Sequence, residues 1–303
     1  MSGPVNARRP AIYVGAAALV SAVVLLVSGT GAGATPPASA GPPPAPPAAT
    51  APACTEKPKD SLRPTGPLPA PGAMPPNSAM ARIFDHGRLI AGVDQGKFRA
   101  GYRNPITNVL EGSDIDVVRQ IAAAIFGEPN RVQFVVLDIA DRAKAVADKR
   151  VDLVVNSFTV TCERQKLVEF STAYMEATQR MLVPKASGVQ SVKDLAGKRV
   201  CTSAGSTTEV VLRKLPEKLD VMTLPGIPDC VVELQRGRVA AVSSDDVILA
   251  GLAAQDPQTA VVGPALDHSS YAVGMNLAEP DLVRFVNAVL ERGRTDGSLA
   301  KSM

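Results

Sequence analysis

The chain has 303 residues, a length at which a single hydrophobic core stops growing, so two lobes or domains are expected. Hydrophobic residues make up 46% and charged residues 20% of the chain, which is the balance of a globular protein. The net charge of +3 arises from interleaved acidic and basic residues, so no single-sign face is expected and we predict no nucleic-acid partner.

The N-terminal residues 1–34 have the layout of a secretory signal. Arg8 and Arg9 precede the uncharged residues 11–27, and the small residues 32–34 follow as a cleavage site. The same apolar stretch reaches the lower limit for spanning a bilayer, so an uncleaved N-terminal membrane anchor is the alternative. Both interpretations predict an exported protein of the cell envelope or periplasmic space, which is membrane-anchored if the segment is retained.

Residues 35–80 are dominated by Pro, Ala, Gly and Thr. This composition predicts an extended, polyproline-like linker that cannot bury a core. It is expected to be either a stalk that lifts the folded part away from a membrane or an inert disordered tail.

From residue 88 onward, short apolar runs alternate with amphipathic stretches, which predicts α/β lobes with mainly parallel sheets. The first lobe has predicted strands at 89–93, 132–137 and 151–155 and predicted helices at 114–126 and 140–149. The second has predicted strands at 198–202, 221–224, 239–243 and 259–262 and predicted helices at 206–215, 229–236 and 245–254. Extended residues 179–184 and 266–271 are predicted to be two hinge crossings, followed by an extended 271–275 and a helix at 281–294.

Polar residues gather where such strands end. In open α/β sheets, ligands bind outside the carboxyl ends of the strands. The residues that follow predicted strands include Asp94, residues 156–161, residues 203–207 and Asp245. We therefore expect a binding site between these loops.

These loops carry the groups that a free amino acid requires. The planar fork of Arg164 suits a carboxylate, because it can donate two parallel hydrogen bonds. Asp245 and Asp94 are available for an ammonium group. Ser206 and Thr207 lie at a predicted helix N-terminus, whose free N–H groups also favour a carboxylate.

At these residues the chain resembles the family 3 solute-binding proteins, the polar amino-acid receptors of ABC importers, in particular the glutamate/glutamine type. The resemblance covers about residues 88–300. It rests on the order and spacing of several fragments: GVD at 92–94, LEGSDID at 110–116, VDL at 151–153, SFTVTCER at 157–164, VEFS at 168–171, DLAGKRV at 194–200, GSTTE at 205–209 and SSD at 243–245.

The resemblance implies a two-lobed periplasmic-binding-protein fold of type II, the Venus flytrap, with lobe 1 at 81–182 and 271–303 and lobe 2 at 183–270. It implies that Arg164 binds the α-carboxylate of glutamate, aspartate, glutamine or asparagine and that Asp245 binds its ammonium group. The other implied ligand-binding residues are Thr159, Ser203, Ser206 and Thr207 around the carboxylate, Asn156 or Ser157 through a backbone carbonyl, Asp94, Phe98 and Tyr102 along the wall, and Lys97, Arg99 and Arg103 as readers of an acidic side chain. The implied partner is the permease of an ABC importer or a membrane signalling protein.

Four cysteines in an exported chain favour disulfides. A bridge between two moving lobes would hinder closure, so we expect Cys201–Cys230 in one lobe and Cys54–Cys162 in the other. Lipidation of Cys54 and zinc ligation are the alternatives, although no close Cys/His cluster supports zinc.

No metal site, cofactor motif or catalytic set is apparent, so we expect a binding protein that is not an enzyme and needs no cofactor. The alternative is an enzyme like cyclohexadienyl dehydratase, which shares this fold, with Glu163 or Glu176 as the general acid. A third class, an extracellular adhesion or scaffold protein, predicts no ligand response.

Overall fold

The computed structural model describes residues 57–303, which form two lobes around two separate sheets. The strands of the first sheet are β1 (Leu89–Val93), β5 (Val132–Val136), β6 (Leu153–Val154), β7 (Val168–Phe170) and β14 (Gly274–Asn276). They lie in the order β5-β1-β6-β14-β7. Strand β1 is parallel to β5 and β6, whereas β14 is antiparallel to β6 and β7 because the chain re-enters this lobe from the other direction.

Helices cover this first sheet because each has an apolar face. They are α1 (Ala79–His86), α2 (Ser113–Phe126), α3 (Arg142–Ala147), α7 (Pro280–Thr295) and the short α8 (Ser298–Lys301). In α2 the predicted apolar positions are all buried, from Ile115 to Ile125. The helix ends at Gly127, whose left-handed conformation with φ 76° favours glycine.

The second lobe contains β8 (Met175–Pro184), β9 (Arg199–Ser203), β10 (Asp220–Leu224), β11 (Ala241–Asp245) and β12 (Thr259–Val262), in the order β10-β9-β11-β8-β12. Its helices are α4 (Thr207–Lys214), α5 (Ile227–Gln235) and α6 (Asp246–Gln255). Strands β9, β10 and β11 are parallel, whereas β8 and β12 are antiparallel to their neighbours. The predicted two-lobed α/β architecture is confirmed.

Two antiparallel strands connect the lobes. The first half of β8 pairs with β13 (His268–Tyr271), and its second half pairs with β11 and β12. Residues 179–182 therefore belong to the second sheet, and the lobe boundary placed after residue 182 lies too far along the chain. Asp246 at the start of α6 fixes this connection, because its carboxylate accepts bonds from Thr178 N at 3.0 Å and Thr178 Oγ1 at 2.7 Å.

A small antiparallel sheet, absent from the sequence prediction, projects from the first lobe. Its strands are β2 (Gly96–Lys97), β3 (Gly101–Arg103) and β4 (Leu110–Glu111). These strands are too short to give an alternating pattern. Gly112 lies between β4 and α2, and its backbone is close to that of Ala100. A Cβ at this position would lie 2.3 Å from the Ala100 carbonyl oxygen, so only glycine fits.

Residues 57–78, here called the strap, lie along the first lobe. The expectation that the linker cannot bury a core is wrong for this part, because Leu62, Leu68 and Met74 pack against the core. The strap is also bonded to α2, where Gly72 N donates to Ile125 O at 2.9 Å. Apolar residues spaced along an extended proline-rich segment can thus contribute to a core built by other elements.

The predicted disulfide between Cys201 and Cys230 is confirmed and joins β9 to α5 within the second lobe. Cys162 is also disulfide-bonded. Its predicted partner, Cys54, lies outside the described residues, as do the predicted signal or anchor and the first part of the linker. Within residues 57–303, no helix is sufficiently long and apolar to cross a membrane.

Replacing both Cys201 and Cys230 by alanine is expected to lower the free energy of unfolding by about 3–4 kcal/mol, because the bridge closes a loop of 29 residues in the unfolded chain. Urea unfolding of the variant beside the native protein measures this difference. A loss below about 1 kcal/mol would contradict the prediction.

Candidate functional site

A cavity lies between the lobes, at the carboxyl ends of β6, β9 and β11. Its volume is about 30 Å³, so the walls of the two lobes are close together around it. The first lobe and hinge contribute Lys97, Ile139, Arg142, Ser157, Thr159 and Tyr271 to its lining, and the second lobe contributes Ser203, Ser206, Thr207, Thr208, Ile227, Ser244, Asp245 and Ile248. The loops that the sequence analysis singled out therefore meet.

Arg142, which the sequence analysis did not select, is the buried arginine of the cavity lining. Its Nε donates to Ile139 O at 2.9 Å, and its Nη1 donates to the carbonyl oxygens of Asn156 at 2.8 Å and Ser157 at 3.2 Å. Burial lowers the pKa of Arg142 to about 10, and the carboxylate of Asp94 opposes this shift. Its position just after β5, at the first residue of α3, was the signal that could have identified it.

Arg164 is not among the residues that line the cavity; it lies beside Thr159, which does, in a 3₁₀ turn over Arg164–Lys166. Its Nη1 donates to Thr159 O at 2.6 Å in the first lobe, and its Nη2 donates to Gly205 O at 3.3 Å in the second. Burial lowers the pKa of Arg164 to about 9, with the Arg142 charge adding to the shift and Asp245 opposing it. The predicted carboxylate-binding arginine thus bridges the two lobes.

One buried ring supports both guanidinium groups. The Cζ atoms of Arg142 and Arg164 lie 4.6 Å and 5.1 Å from the centroid of the Phe158 ring. A cation this close to an aromatic ring is attracted by roughly 0.5–2 kcal/mol, more when it is desolvated. Phe158 therefore holds two like charges near each other at the cleft.

The loop after β6 is held in an unusual conformation. Ser157 has a φ of 45°, which a residue with a Cβ seldom adopts. The carboxylate of Asp114, at the start of α2, accepts from Ser157 N at 2.8 Å, from Ser157 Oγ at 3.0 Å and from Tyr174 Oη at 2.6 Å. Asp114 thereby orients the carbonyl groups that bind Arg142.

Lys97 is fully buried beside this loop. Its Nζ donates to Asn156 Oδ1 at 2.6 Å and lies 3.3 Å from Asp94 Oδ2. Burial lowers the pKa of Lys97, and Asp94 opposes that shift. Asp94 and Asn156, predicted to contact ligand, do not line the cavity and instead hold Lys97 in it.

Asp245 lines the cavity from the end of β11. Its Oδ2 accepts from Tyr271 Oη at 2.5 Å, and its Oδ1 accepts from Ser269 Oγ at 3.3 Å. Burial raises the pKa of Asp245, and these two hydrogen bonds oppose the increase. Because Ser269 and Tyr271 belong to β13, the carboxylate is bonded directly to a hinge strand.

The N-terminus of α4 forms the hydroxyl-rich wall of the second lobe. Ser206 Oγ accepts from Glu209 N at 3.1 Å and donates to Ser203 O at 2.6 Å, which caps the helix. Thr207, the first residue of α4, lines the cavity beside them. The structure therefore brings Ser203, Ser206 and Thr207 together with Thr159 and Ser157.

Four predicted ligand contacts on the small sheet do not line the cavity. Arg103 instead bonds Gln95 Oε1 and Asn108 O, each at 3.1 Å, and Arg99 is exposed. Phe98 and Tyr102 pack against each other edge to face, with their centroids 5.1 Å apart. The turn between β2 and β3 directs these side chains away from the cavity, a geometry that sequence spacing does not reveal.

Comparisons with known proteins agree with this architecture. The model of the bacterial extracellular solute-binding proteins, family 3, matches residues 89–303. The ABC transporter glutamine-binding protein of Bacillus subtilis is 30% identical over 219 residues, which are 72% of this chain and 80% of that protein. The glutamine-binding protein of Geobacillus stearothermophilus is 32% identical over 198 residues, 65% of this chain and 76% of that protein.

Solved structures show the same fold. The holo form of ArgBP from T. maritima superposes with a TM-score of 0.67 at 26% identity and covers 74% of this chain and 99% of that one. An ancestral arginine-binding protein bound to glutamine gives 0.65 at 28% identity, with 71% of this chain and 95% of that one covered.

Proposed function

Because the chain belongs to the bacterial extracellular solute-binding proteins of family 3, we propose that it binds a free polar amino acid between its lobes. The proposed ligands are glutamate, aspartate, glutamine and asparagine, in keeping with the glutamine-binding relatives from Bacillus subtilis and Geobacillus stearothermophilus. Delivery to the permease of an ABC importer, or to a membrane signalling protein, is the proposed outcome of binding. Export through residues 1–34, which serve as a signal or as an anchor, belongs to the same proposal.

The observation that carries the proposal is the charge pattern of the cleft. Arg142 and Arg164 stack on one ring, and their guanidinium groups donate hydrogen bonds to backbone carbonyl groups. Asp245 presents a carboxylate from the opposite lobe. An amino acid with a carboxylate at one end and an ammonium group beside it complements this pattern.

Arg164 is the proposed partner of the α-carboxylate. Its bond to Gly205 O is long, so a ligand carboxylate can replace it with a shorter, charge-assisted bond. Thr159 and the N-terminus of α4 supply further donors on either side of the cleft. Asp245 is the proposed partner of the ammonium group.

Arg142 takes the role that the sequence analysis gave to Arg99 and Arg103. It is buried in the cavity lining with Lys97, whereas the other two arginines lie outside it. A guanidinium in this place favours a ligand side chain that ends in a carboxylate or an amide oxygen. This supports the acidic or amide class over an apolar ligand.

The candidates for the general acid of the alternative enzyme are Glu163 and Glu176. Glu163 lies 3.1 Å from Lys166 Nζ, and Glu176 accepts a bond from Ser270 Oγ at 2.7 Å. Neither residue lines the cavity. Incubation with prephenate and arogenate separates the two functions, because an enzyme forms product and a receptor does not.

Replacing Arg164 by alanine is expected to abolish binding of every amino acid, because all of them share the α-carboxylate. The native protein should show a higher melting temperature with millimolar glutamate or glutamine, and the variant should not. Thermal shifts with the common amino acids, followed by titration calorimetry, measure both effects. A native protein that responds to none of them, as an adhesion or scaffold protein would not, contradicts the proposal.

Replacing Arg142 by glutamine is expected to change the ratio of the affinities for glutamate and glutamine by tenfold or more, because the variant lacks the cation that reads the side chain. The matched control is Arg103→Gln on the small sheet, which should leave that ratio unchanged. Calorimetric Kd values for glutamate and glutamine, measured on both variants, test this prediction. Equal changes in the two variants would contradict the assigned role.

A glycine of α6 lies where the two lobes meet. A Cβ on Gly251 would lie 2.5 Å from the carbonyl oxygen of Phe98, which belongs to the small sheet of the first lobe. Glycine within a helix costs about 1 kcal/mol relative to alanine, so the helix alone would favour alanine here. The absence of a Cβ at this position therefore permits the close approach of the lobes.

Gly251→Ala is expected to weaken ligand binding by tenfold or more, because the added methyl group obstructs closure, while the unliganded protein keeps or gains stability. Ala250→Gly, an exposed change on the same helix, is the control: it should lower stability and leave the affinity unchanged. Calorimetry and urea unfolding give the two quantities. A Gly251→Ala protein with native affinity would disprove the closure contact.

A further inference from the structure

The start of the strap is bonded to the turn that carries Arg164. Lys59 N donates to Gln165 Oε1 at 2.7 Å, and Gln165 Nε2 donates to Lys59 O at 2.8 Å. The side-chain amide of Gln165 thus pairs with both backbone groups of one strap residue, Lys59, as a neighbouring strand would. Gln165 directly follows Arg164, so this pairing holds the outer side of the turn whose inner side faces the cleft.

A second group of hydrogen bonds joins the strap to α7. Asn287 is fully buried, and its Nδ2 donates to Ser61 Oγ at 2.7 Å and also to Leu62 O. Ser61 Oγ in turn donates to Phe170 O at 2.7 Å, at the end of β7. Because an unbonded buried amide is costly, Asn287 and the strap fix each other's position.

The segment from Phe158 to Phe170 is therefore held from two sides. On the cleft side, the Phe158 ring and the Thr159 carbonyl hold the Arg164 guanidinium. On the outer side, the strap holds Gln165 and Phe170. Cys162, which lies in the same turn, is disulfide-bonded. None of the strap residues 57–63 lines the cavity.

We propose that strap residues 57–63 are a positioning element of the ligand site, which fixes the 161–166 turn and so preorganises Arg164 for a carboxylate. The inference rests on the proposed role of Arg164 in ligand binding. A turn that is already ordered spares the ligand the entropic cost of ordering it. The strap thus strengthens binding without touching the ligand.

Two substitutions at one strap position test this in the full chain. Lys59→Pro removes the backbone N–H that Gln165 accepts, whereas Lys59→Ala changes only an exposed side chain and keeps that N–H. We expect Lys59→Pro to weaken glutamate or glutamine binding about 5- to 30-fold, the effect of 1–2 kcal/mol, and Lys59→Ala to leave the Kd within twofold of native.

A double-mutant cycle with Gln165→Met tests whether Lys59→Pro weakens binding through its hydrogen bond with Gln165. Gln165→Met alone should weaken binding as Lys59→Pro does, and the two together should weaken it no further. Gln165→Glu, which keeps the acceptor for Lys59 N but loses the donor, should fall between native and Gln165→Met. Gln133→Met, an exposed change on β5, is the control for the loss of a glutamine from this lobe.

Hydrogen exchange of the unliganded variants supplies the second readout. Faster exchange at the amides of residues 162–167, with native exchange in the second lobe, is expected for Lys59→Pro and Gln165→Met. Unchanged Kd values in both variants, or losses that add in the double variant, would overturn the inference. Loss of binding in Arg164→Ala together with native Kd values in the strap variants would overturn the strap's role alone. Retained binding in Arg164→Ala would overturn the role of Arg164 on which the inference rests, whereas a native protein that binds no amino acid would overturn the proposed function.

Discussion

Two positive charges share one aromatic ring at the centre of this molecule, and much of the cleft is arranged around them. Both guanidinium groups are withdrawn from water, and the pKa of each is lowered chiefly by burial. Backbone carbonyl groups satisfy their hydrogen bonds without neutralising their charge. The carboxylates of Asp94 and Asp245 oppose these shifts, and a further anionic group between the lobes would do the same. This arrangement is the basis of the proposed binding of a carboxylate between the lobes.

Holding these charges in place requires a rigid frame. Asp114 keeps Ser157 at a positive φ, and that conformation directs the carbonyl groups of residues 156 and 157 toward Arg142. On the opposite lobe, Asp245 is bonded to the hinge strand through Tyr271. A carboxylate that lines the cavity and a strand that connects the lobes are thus joined by a hydrogen bond, so a ligand contact at Asp245 would bear directly on the hinge.

Long periodic elements were predictable from the sequence, because their burial pattern is local. Strands β1 and β12 lie at the predicted residues, and α2 begins one residue earlier than predicted. The loops at the carboxyl ends of the strands also converge as expected from parallel βα units. Arg142 was missed, although its position after β5 suggests a site residue, because no periodicity marks its hydrogen bonds to the carbonyl groups of Asn156 and Ser157 in another loop.

The direction of the side chains on the small sheet was not predictable from the sequence. Arg99 and Arg103 have the charge expected of ligand readers, but the tight turn between β2 and β3 decides where their side chains point. The prediction for the strap was wrong for a related reason. Composition describes what a segment can form alone, whereas Leu62 packs against a core built by other elements and accepts a hydrogen bond from Asn287 of α7. Sequence reasoning finds residues of the right chemistry more readily than it finds their direction.

The strap also determines which lobe residues 57–78 would accompany if the two lobes move relative to each other. Its hydrogen bonds to Gln165, Phe170, Ile125, Arg284 and Asn287 all lie in the first lobe, as do those of Ser78 to α1. Residues 57–78 are therefore bonded to the first lobe. In the proposed closure, the strap and the first lobe would form one body, and the arrival of a ligand would displace the second lobe relative to both.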